Sequence, residues 1–343
     1  MTENTINETN RPLNQLFDKA VLARSDAIAL IADDRRISFF ELQLYVEWMS
    51  GYFQSINLRS GQRVALLMPN SPELVISFLG LMRAGGVAVP LDVLDNEQNL
   101  RTSLLRSEAG AVITTPEYKP VLDKILLEFS RNGMSPCLTI AVFEEDNITT
   151  LKKTARAAAE NGKVAAVTPQ RENGKETRQA QDCFHQDASE AAAGHPAVIQ
   201  FQHAREFFVY THEELEREAE ALIARIQLGE NDRLVCCAPI CQQPCLSRCL
   251  IAAIAAGATV VLAESGNWEN LLQTLMSEQV TVLAGPAALL RRLTASNAAS
   301  SLRWYFCLDA ASPPELDGGL GEKLSFHVGQ FNDTINTGVS YQL

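Results

Sequence analysis

At 343 residues, with 46% apolar and 20% charged side chains, the chain has a globular composition and the length of two ordinary domains. Its net charge of −12 argues against general binding to nucleic acid or an anionic membrane surface. Met1–Asn10 is polar and acidic, unlike a signal sequence, and the apolar run Cys249–Ala263 is too short and too rich in Gly and Ala to span a membrane. Eight cysteines without a secretory signal point to reduced thiols in a cytoplasm.

Residues 1–12 read as a tail. Leu13–Arg24 has helical periodicity, Ala27–Ala32 reads as a strand and Asp33-Asp34-Arg35-Arg36 as a turn. Ile37–Leu42 leads into a long amphipathic helix ending near Asn57. Val64–Met68 is a buried strand, Pro69-Asn70-Ser71-Pro72 a turn with a ready N-cap, and Glu73–Arg83 a helix. Gly85-Gly86 ends that helix and Val87–Pro90 is the next strand, completing a βαβ unit and requiring a parallel sheet. Asn96–Ser107 with Ala111–Thr114 repeats the unit, as does Tyr118–Phe129 with Cys137–Phe143. Asp146–Gly194 is rich in Lys, Glu, Gln, Asn and Ala and reads as a linker, with one helix at Thr150–Glu160 and a weak strand at Val164–Val167. It sets the expected boundary between an α/β subdomain over 13–145 and a second over 195–343.

The α/β rhythm then resumes. Helices are expected at Glu213–Ile226, Cys245–Ala256, Trp268–Ser277, Ala287–Thr294 and Pro314–Leu320. Strands are expected at Arg233–Ala238, Thr259–Ala263, Val280–Gly285, Trp304–Leu308 and Ser325–Gly329. A strand-to-strand spacing of roughly 25 residues suits a doubly wound sheet.

Pro196–Leu215 is the decisive stretch. Ala197–Phe201 reads as a strand, and Thr211 with Glu214 forms a capping box at a helix start. A strand turning into a helix N-terminus is where α/β proteins hold phosphate, because free backbone N–H groups and the helix dipole point there. Such a cradle needs glycines, hydroxyls and usually a lysine. The seven residues of the slot are Gln202, His203, Ala204, Arg205, Glu206, Phe207 and Phe208, with no Gly, Ser, Thr or Lys among them.

Taken in order, ISFFELQ, GQRVALLMPNSPELVISFLGLMRAGGVAVPLDV, RTSLLRSEAGAVIT, DRLVCCAPI, LIAAIAAGATVVLA, QVTVLAGPAALLRRL and SLRWYFCLDAASPPEL resemble segments of the adenylate-forming superfamily. That superfamily holds acyl-CoA synthetases, luciferases and the adenylation domains of nonribosomal peptide synthetases. The resemblance spans about residues 13–340 and implies its N-terminal domain, a layered αβαβα arrangement of two parallel-rich sheets with flanking helices. The small barrel and the C-terminal lid domain with its catalytic lysine have no counterpart before Leu343, and Lys323 is the only lysine after residue 194.

The departures from the family pattern carry the functional expectation. Residues 202–208 stand where the family has a Ser/Thr/Gly-rich loop with a lysine. Gln242 stands in the place of a histidine, and Asp309-Ala310 replaces part of an adenine-facing Gly-Ala-Pro-type turn. Phe331-Asn332-Asp333-Thr334-Ile335 corresponds to Tyr-Gly-x-Thr-Glu, so Ile335 replaces a Mg²⁺-binding glutamate, with Asp333 close by. Adenylation needs cationic and metal stabilisation of developing charge, and one lost donor costs about 100–1000-fold. The expectation is a pseudoenzyme with no catalytic residue, no cofactor and no metal.

Other features have less specific readings. His203 and Arg205 can grip an anion, although Glu206 offsets their charge. Phe207 and Phe208 either plug a cleft or anchor a partner. Cys241, Cys245 and Cys249, spaced i, i+4, i+8, would share a helix face, as small buried apolar residues or as a soft-metal or redox site; Cys236-Cys237 lie just upstream. His212 reads as a packing residue and Asp317–Gly321 as a loop. Three roles remain: a scaffold or regulatory subunit held by a protein partner or a second copy, an acyl- or CoA-binding module, and a ligase completed by a separate chain.

Overall fold

The strongest folding signals are short apolar runs such as RVALL and VAVPL, which can be satisfied only inside a sheet covered on both faces. The computed structural model describes residues 12–131, 139–143, 195–202, 206–240, 244–263, 268–294, 300–308, 327–330 and 339–341. In chain order these form α1 (Pro12–Arg24), β1 (Ile28–Ala32), β2 (Arg35–Ser38), α2 (Phe39–Ser55), β3 (Arg63–Leu67) and α3 (Pro72–Arg83). Then come β4 (Val87–Leu91), α4 (Glu97–Ser107), β5 (Ala111–Thr114), α5 (Lys119–Arg131), β6 (Thr139–Val142), β7 (Pro196–Gln202), β8 (Glu206–Thr211) and α6 (His212–Ile226). After β9 (Arg233–Cys236), a π-helical turn (Leu246–Ile251) runs into α7 (Ala252–Ala255) and β10 (Thr259–Leu262). The last elements are α8 (Trp268–Ser277), β11 (Val282–Gly285), α9 (Ala287–Thr294), β12 (Trp304–Cys307), β13 (His327–Gln330) and β14 (Val339–Tyr341).

Two compact units result. One comprises Met1–Gln15, Phe40–Glu213 and Gly338–Leu343, the other Leu16–Phe39 and Glu214–Thr337. Each has a seven-stranded sheet: β14-β8-β7-β4-β3-β5-β6 in the first and β13-β12-β11-β9-β10-β1-β2 in the second. Pairing is parallel except for β7–β8 and β8–β14 in the first sheet and β1–β2 in the second. Both sheets are therefore mostly parallel and carry flanking helices, as the sequence predicts.

The units interleave along the chain, so they do not follow the sequential division expected at 146–194, a stretch outside the described residues. The cause is long-range pairing. β1 lies parallel to β10, which draws the early β1–β2 hairpin into the second unit, and β7 pairs with β4 in the first. The expected four-residue turn at 33–36 is also shorter than predicted. Ala32 pairs with Arg35, leaving Asp33-Asp34 as the connection. Arg36 is held in β2 by a two-point ion pair with Glu278, at 2.6 and 3.2 Å.

Local chemistry explains the helix ends. Ser71 accepts a hydrogen bond from the Leu74 N–H at 3.3 Å, with Pro72 in the first turn of α3, so the helix starts with one orphan donor satisfied. The other end closes at Gly85, φ 79°, with Gly85 N–H bonded to Met82 O and Gly86 N–H to Leu81 O. The same closure ends α7, where Gly257 at φ 70° donates to Ile254 O and Ala258 N–H to Ala253 O. No helix among the described residues is long and apolar enough to cross a membrane.

The amino edge of the second sheet is pinned by one buried carboxylate. Asp232 directly precedes β9 and accepts from Arg303 Nε and Nη2 at 3.0, 2.8 and 2.7 Å and from the Thr281 hydroxyl at 2.7 Å. Thr281 and Arg303 directly precede β11 and β12, so a single side chain registers three parallel strands at their start.

Candidate functional site

The two ends of the slot singled out in the sequence are paired strand. Gln202 pairs with Glu206, Phe201 with Phe207, Gln200 with Phe208 and Ile199 with Val209. On its other side β8 pairs with β14, Phe207 with Tyr341 and Phe208 with Ser340. Phosphate cradles work because loop N–H groups are left over to face the anion. Backbone at 207–209 is flanked on both sides by ladder partners, and its donors serve the sheet.

Period-two alternation decides where the two phenylalanines go. Phe207 shares a face with Phe201 and Val209 and packs with them against a core that includes Leu67, Val89, Leu91 and Leu104. Phe208 takes the opposite face and is half-buried. The sequence reading of Phe207 as a plug or a docking anchor is therefore replaced by a role inside its own sheet. Glu206 is half-buried at the start of β8, whereas His203, Ala204 and Arg205 lie outside the described residues.

Helix α6 starts at His212, immediately after Thr211, as the capping reading predicts. His212 is fully buried, and its backbone N–H donates to His195 O at 3.2 Å. Its burial accords with a packing role.

Gln242, Asp309, Ala310, Phe331, Asn332, Asp333, Thr334 and Ile335 lie outside the described residues. The strands that lead into them are described. Cys236 is level with Ala284, Gly285 with Cys307 and Cys307 with Gln330, so β9, β11, β12 and β13 end together at one carboxyl edge. In open parallel sheets that edge is where ligands bind. Gly285 keeps it closely packed: a Cβ there would lie 2.6 Å from Leu289 Cδ2 and 3.1 Å from the Tyr305 hydroxyl, which itself donates to Pro286 O at 2.7 Å.

At this edge the structure gathers three thiols. The sulfurs of Cys236, Cys245 and Cys249 all lie within 4.8 Å of one another, and all three residues are buried. The predicted trio had Cys241 in place of Cys236; Cys241 lies outside the described residues, and the last residue of β9 supplies the third thiol. Hydrogen bonds from Cys245 and then Cys249 pull the Cys236 thiol down, while burial and its Cys236 and Cys245 neighbours push Cys249 up. Burial also raises Cys237, which points the other way and packs against the core containing Leu289 and Tyr305.

Backbone at 207–209, paired on both sides, has no donors left to face a triphosphate; residues 203–205 lie outside the described residues. Among the described residues the one convergent set of three or more ligating side chains is all sulfur, a poor match for hard Mg²⁺, which takes oxygen ligands.

Comparison with known proteins gives a family-model match, to AMP-binding enzyme, over residues 17–201 and 208–330. The interruption falls on 202–207, within the slot. The long-chain-fatty-acid–CoA ligase of Haemophilus influenzae is 32% identical over 125 residues, 36% of this chain and 22% of that protein. The crotonobetaine/carnitine–CoA ligase of Escherichia coli is 26% identical over 140 residues, 39% of this chain and 27% of that protein. The matches thus span less than a third of either relative's length. The N-terminal domain of FACL13 from Mycobacterium tuberculosis superimposes with a TM-score of 0.73 at 18% identity, covering 93% of this chain and 75% of that one. ATP-bound MatB from Rhodopseudomonas palustris gives 0.65 at 18% identity, covering 89% and 55%.

Proposed function

The chain belongs to the AMP-binding enzyme family, and from that premise we propose that it uses the family's N-terminal body without making acyl-adenylates, as a scaffold or regulatory subunit for a protein partner or a second copy. The observation that carries this reading is the β7–β8 hairpin. Residues 202–208 within it lack glycine, serine, threonine and lysine, the backbone at 207–209 is paired on both sides, and the family match breaks at 202–207. Ile335, where the family pattern places a metal-binding glutamate, supports the same reading from sequence.

Two measurements test it. Pyrophosphate exchange with pooled carboxylic acids, ATP and Mg²⁺ is expected to stay at the no-enzyme rate; acid-dependent exchange would overturn the reading. Co-purification from the native host, with cross-linking and mass spectrometry, is expected to return a stoichiometric partner or a defined oligomer. Recovery of free monomer alone would count against a scaffold.

A further inference from the structure

We propose that Cys236, Cys245 and Cys249 form a three-thiolate site for a soft, thiophilic metal ion, best matched by copper(I). The donors come from two elements that converge at the carboxyl edge of the second sheet. Cys236 is the last residue of β9, and Cys245 and Cys249 lie at the start and middle of the following helix. Exposures of 3%, 2% and 0% place all three sulfurs in a dry interior. Their separations, none above 4.8 Å, are within a small rotamer adjustment of what one shared ion requires.

A second observation comes from the backbone. Leu246–Ile251 is π-helical, with the Ala252 N–H bonded to Ser247 O, five residues back. A π turn is a costly local widening that recurs at functional sites. Here it carries Cys249 and begins next to Cys245. It is fixed from outside by the Ser247 hydroxyl, which donates to the buried Glu218 carboxylate at 2.5 Å.

Donor chemistry selects the ion. Among the described residues no His, Asp or Glu joins the three sulfurs. Structural zinc takes four ligands in a tetrahedron, and calcium and magnesium take oxygen. Thiolates without nitrogen or oxygen partners favour soft ions, and monovalent copper accepts three-coordinate geometry. Loading breaks S–H bonds, forms copper–sulfur bonds and releases the thiol protons to buffer. Copper enters as Cu(I), so no electron is transferred. This site is independent of whether the chain adenylates anything.

The test is anaerobic titration of the reduced, intact chain with Cu(I) against a chromophoric Cu(I) chelator, repeated on protein expressed in copper-supplemented cells. One ion per chain should be withheld from the chelator, and X-ray absorption at the copper edge should show three sulfur neighbours and no nitrogen. Cys236→Ser, Cys245→Ser and Cys249→Ser should each lose at least about 100-fold in affinity, while Cys237→Ser and Cys307→Ser keep it. Surrender of all copper to the chelator in both preparations would overturn the proposal. So would nitrogen coordination, or equal loss in the Cys237→Ser control. The absorption measurement on wild-type protein stands even if a serine variant fails to fold.

Discussion

Phe201 and Phe207 face each other across the β7–β8 hairpin, ring centroids 5.7 Å apart and planes tilted by 43°. The contact ties the start of β8 into the core of the first sheet. Phe207→Ala is expected to destabilise by about 1–2 kcal/mol, less than the roughly 3–5 kcal/mol of a fully buried phenylalanine, because the ring is half-buried. Urea denaturation measures it, and an unchanged midpoint would show that the hairpin is not held this way.

The Asp232 carboxylate, with its bonds to Arg303 and Thr281, is expected to be worth more than a surface pair. Asp232→Ala strips the Arg303 guanidinium of its acceptor and leaves the Thr281 hydroxyl only the longer bond to Arg233 O, at 3.4 Å, and should cost about 3 kcal/mol. Arg303 is partly exposed, so Arg303→Ala should cost less. Equal effects in the two variants would contradict this asymmetry.

Tyr45 is fully buried, and its hydroxyl has no hydrogen-bond partner among the described residues. Tyr45→Phe removes an unsatisfied polar group and should leave stability unchanged or raise it by about 1 kcal/mol. Burial, and then the nearby Glu41 carboxylate, hold the phenol well above its ordinary value of 10.0. The unfolded chain therefore ionises first. Stability from this group is complete below pH 10 and falls as pH rises beyond it, so the gap between Tyr45→Phe and wild type should widen in alkali. Thermal melts at pH 8 and above 10 check the sign.

Helix termini offer a pair of opposite effects. Gly257 has φ 70°, and a Cβ there would sit 3.1 Å from Arg24 Cγ, so Gly257→Ala should destabilise by about 1–2 kcal/mol. At the end of α6, Gln227 occupies the same left-handed region at φ 52°, with Leu228 N–H closing onto Ile223 O. Gln227→Gly should relieve that strain and stabilise by up to about 1 kcal/mol. A lower melting temperature for Gln227→Gly would refute it.

The β3-α3-β4 unit was legible because apolar runs, the Ser71 cap and the Gly85 stop agree with one another. Strand β8 was hidden by an expectation. EFFVYT alternates aromatic and β-branched residues as a strand should, but its position suggested a loop. Sequence spacing placed Cys245 and Cys249 on one helix turn, yet could not bring in Cys236, because that contact depends on where a parallel strand ends. Interleaved units were equally out of reach. Pairing of β1 with β10 joins residues more than two hundred positions apart, and no local signal reports it.

Strand β14 is only three residues long, yet it covers the flank of β8 from Phe207 to Val209. An aromatic-rich flank without that cover would be a template for intermolecular pairing, and a very short outer strand is a common protection against it. Loss of Val339–Tyr341 would leave β8 as the outermost strand and open its aromatic flank to pairing with another chain.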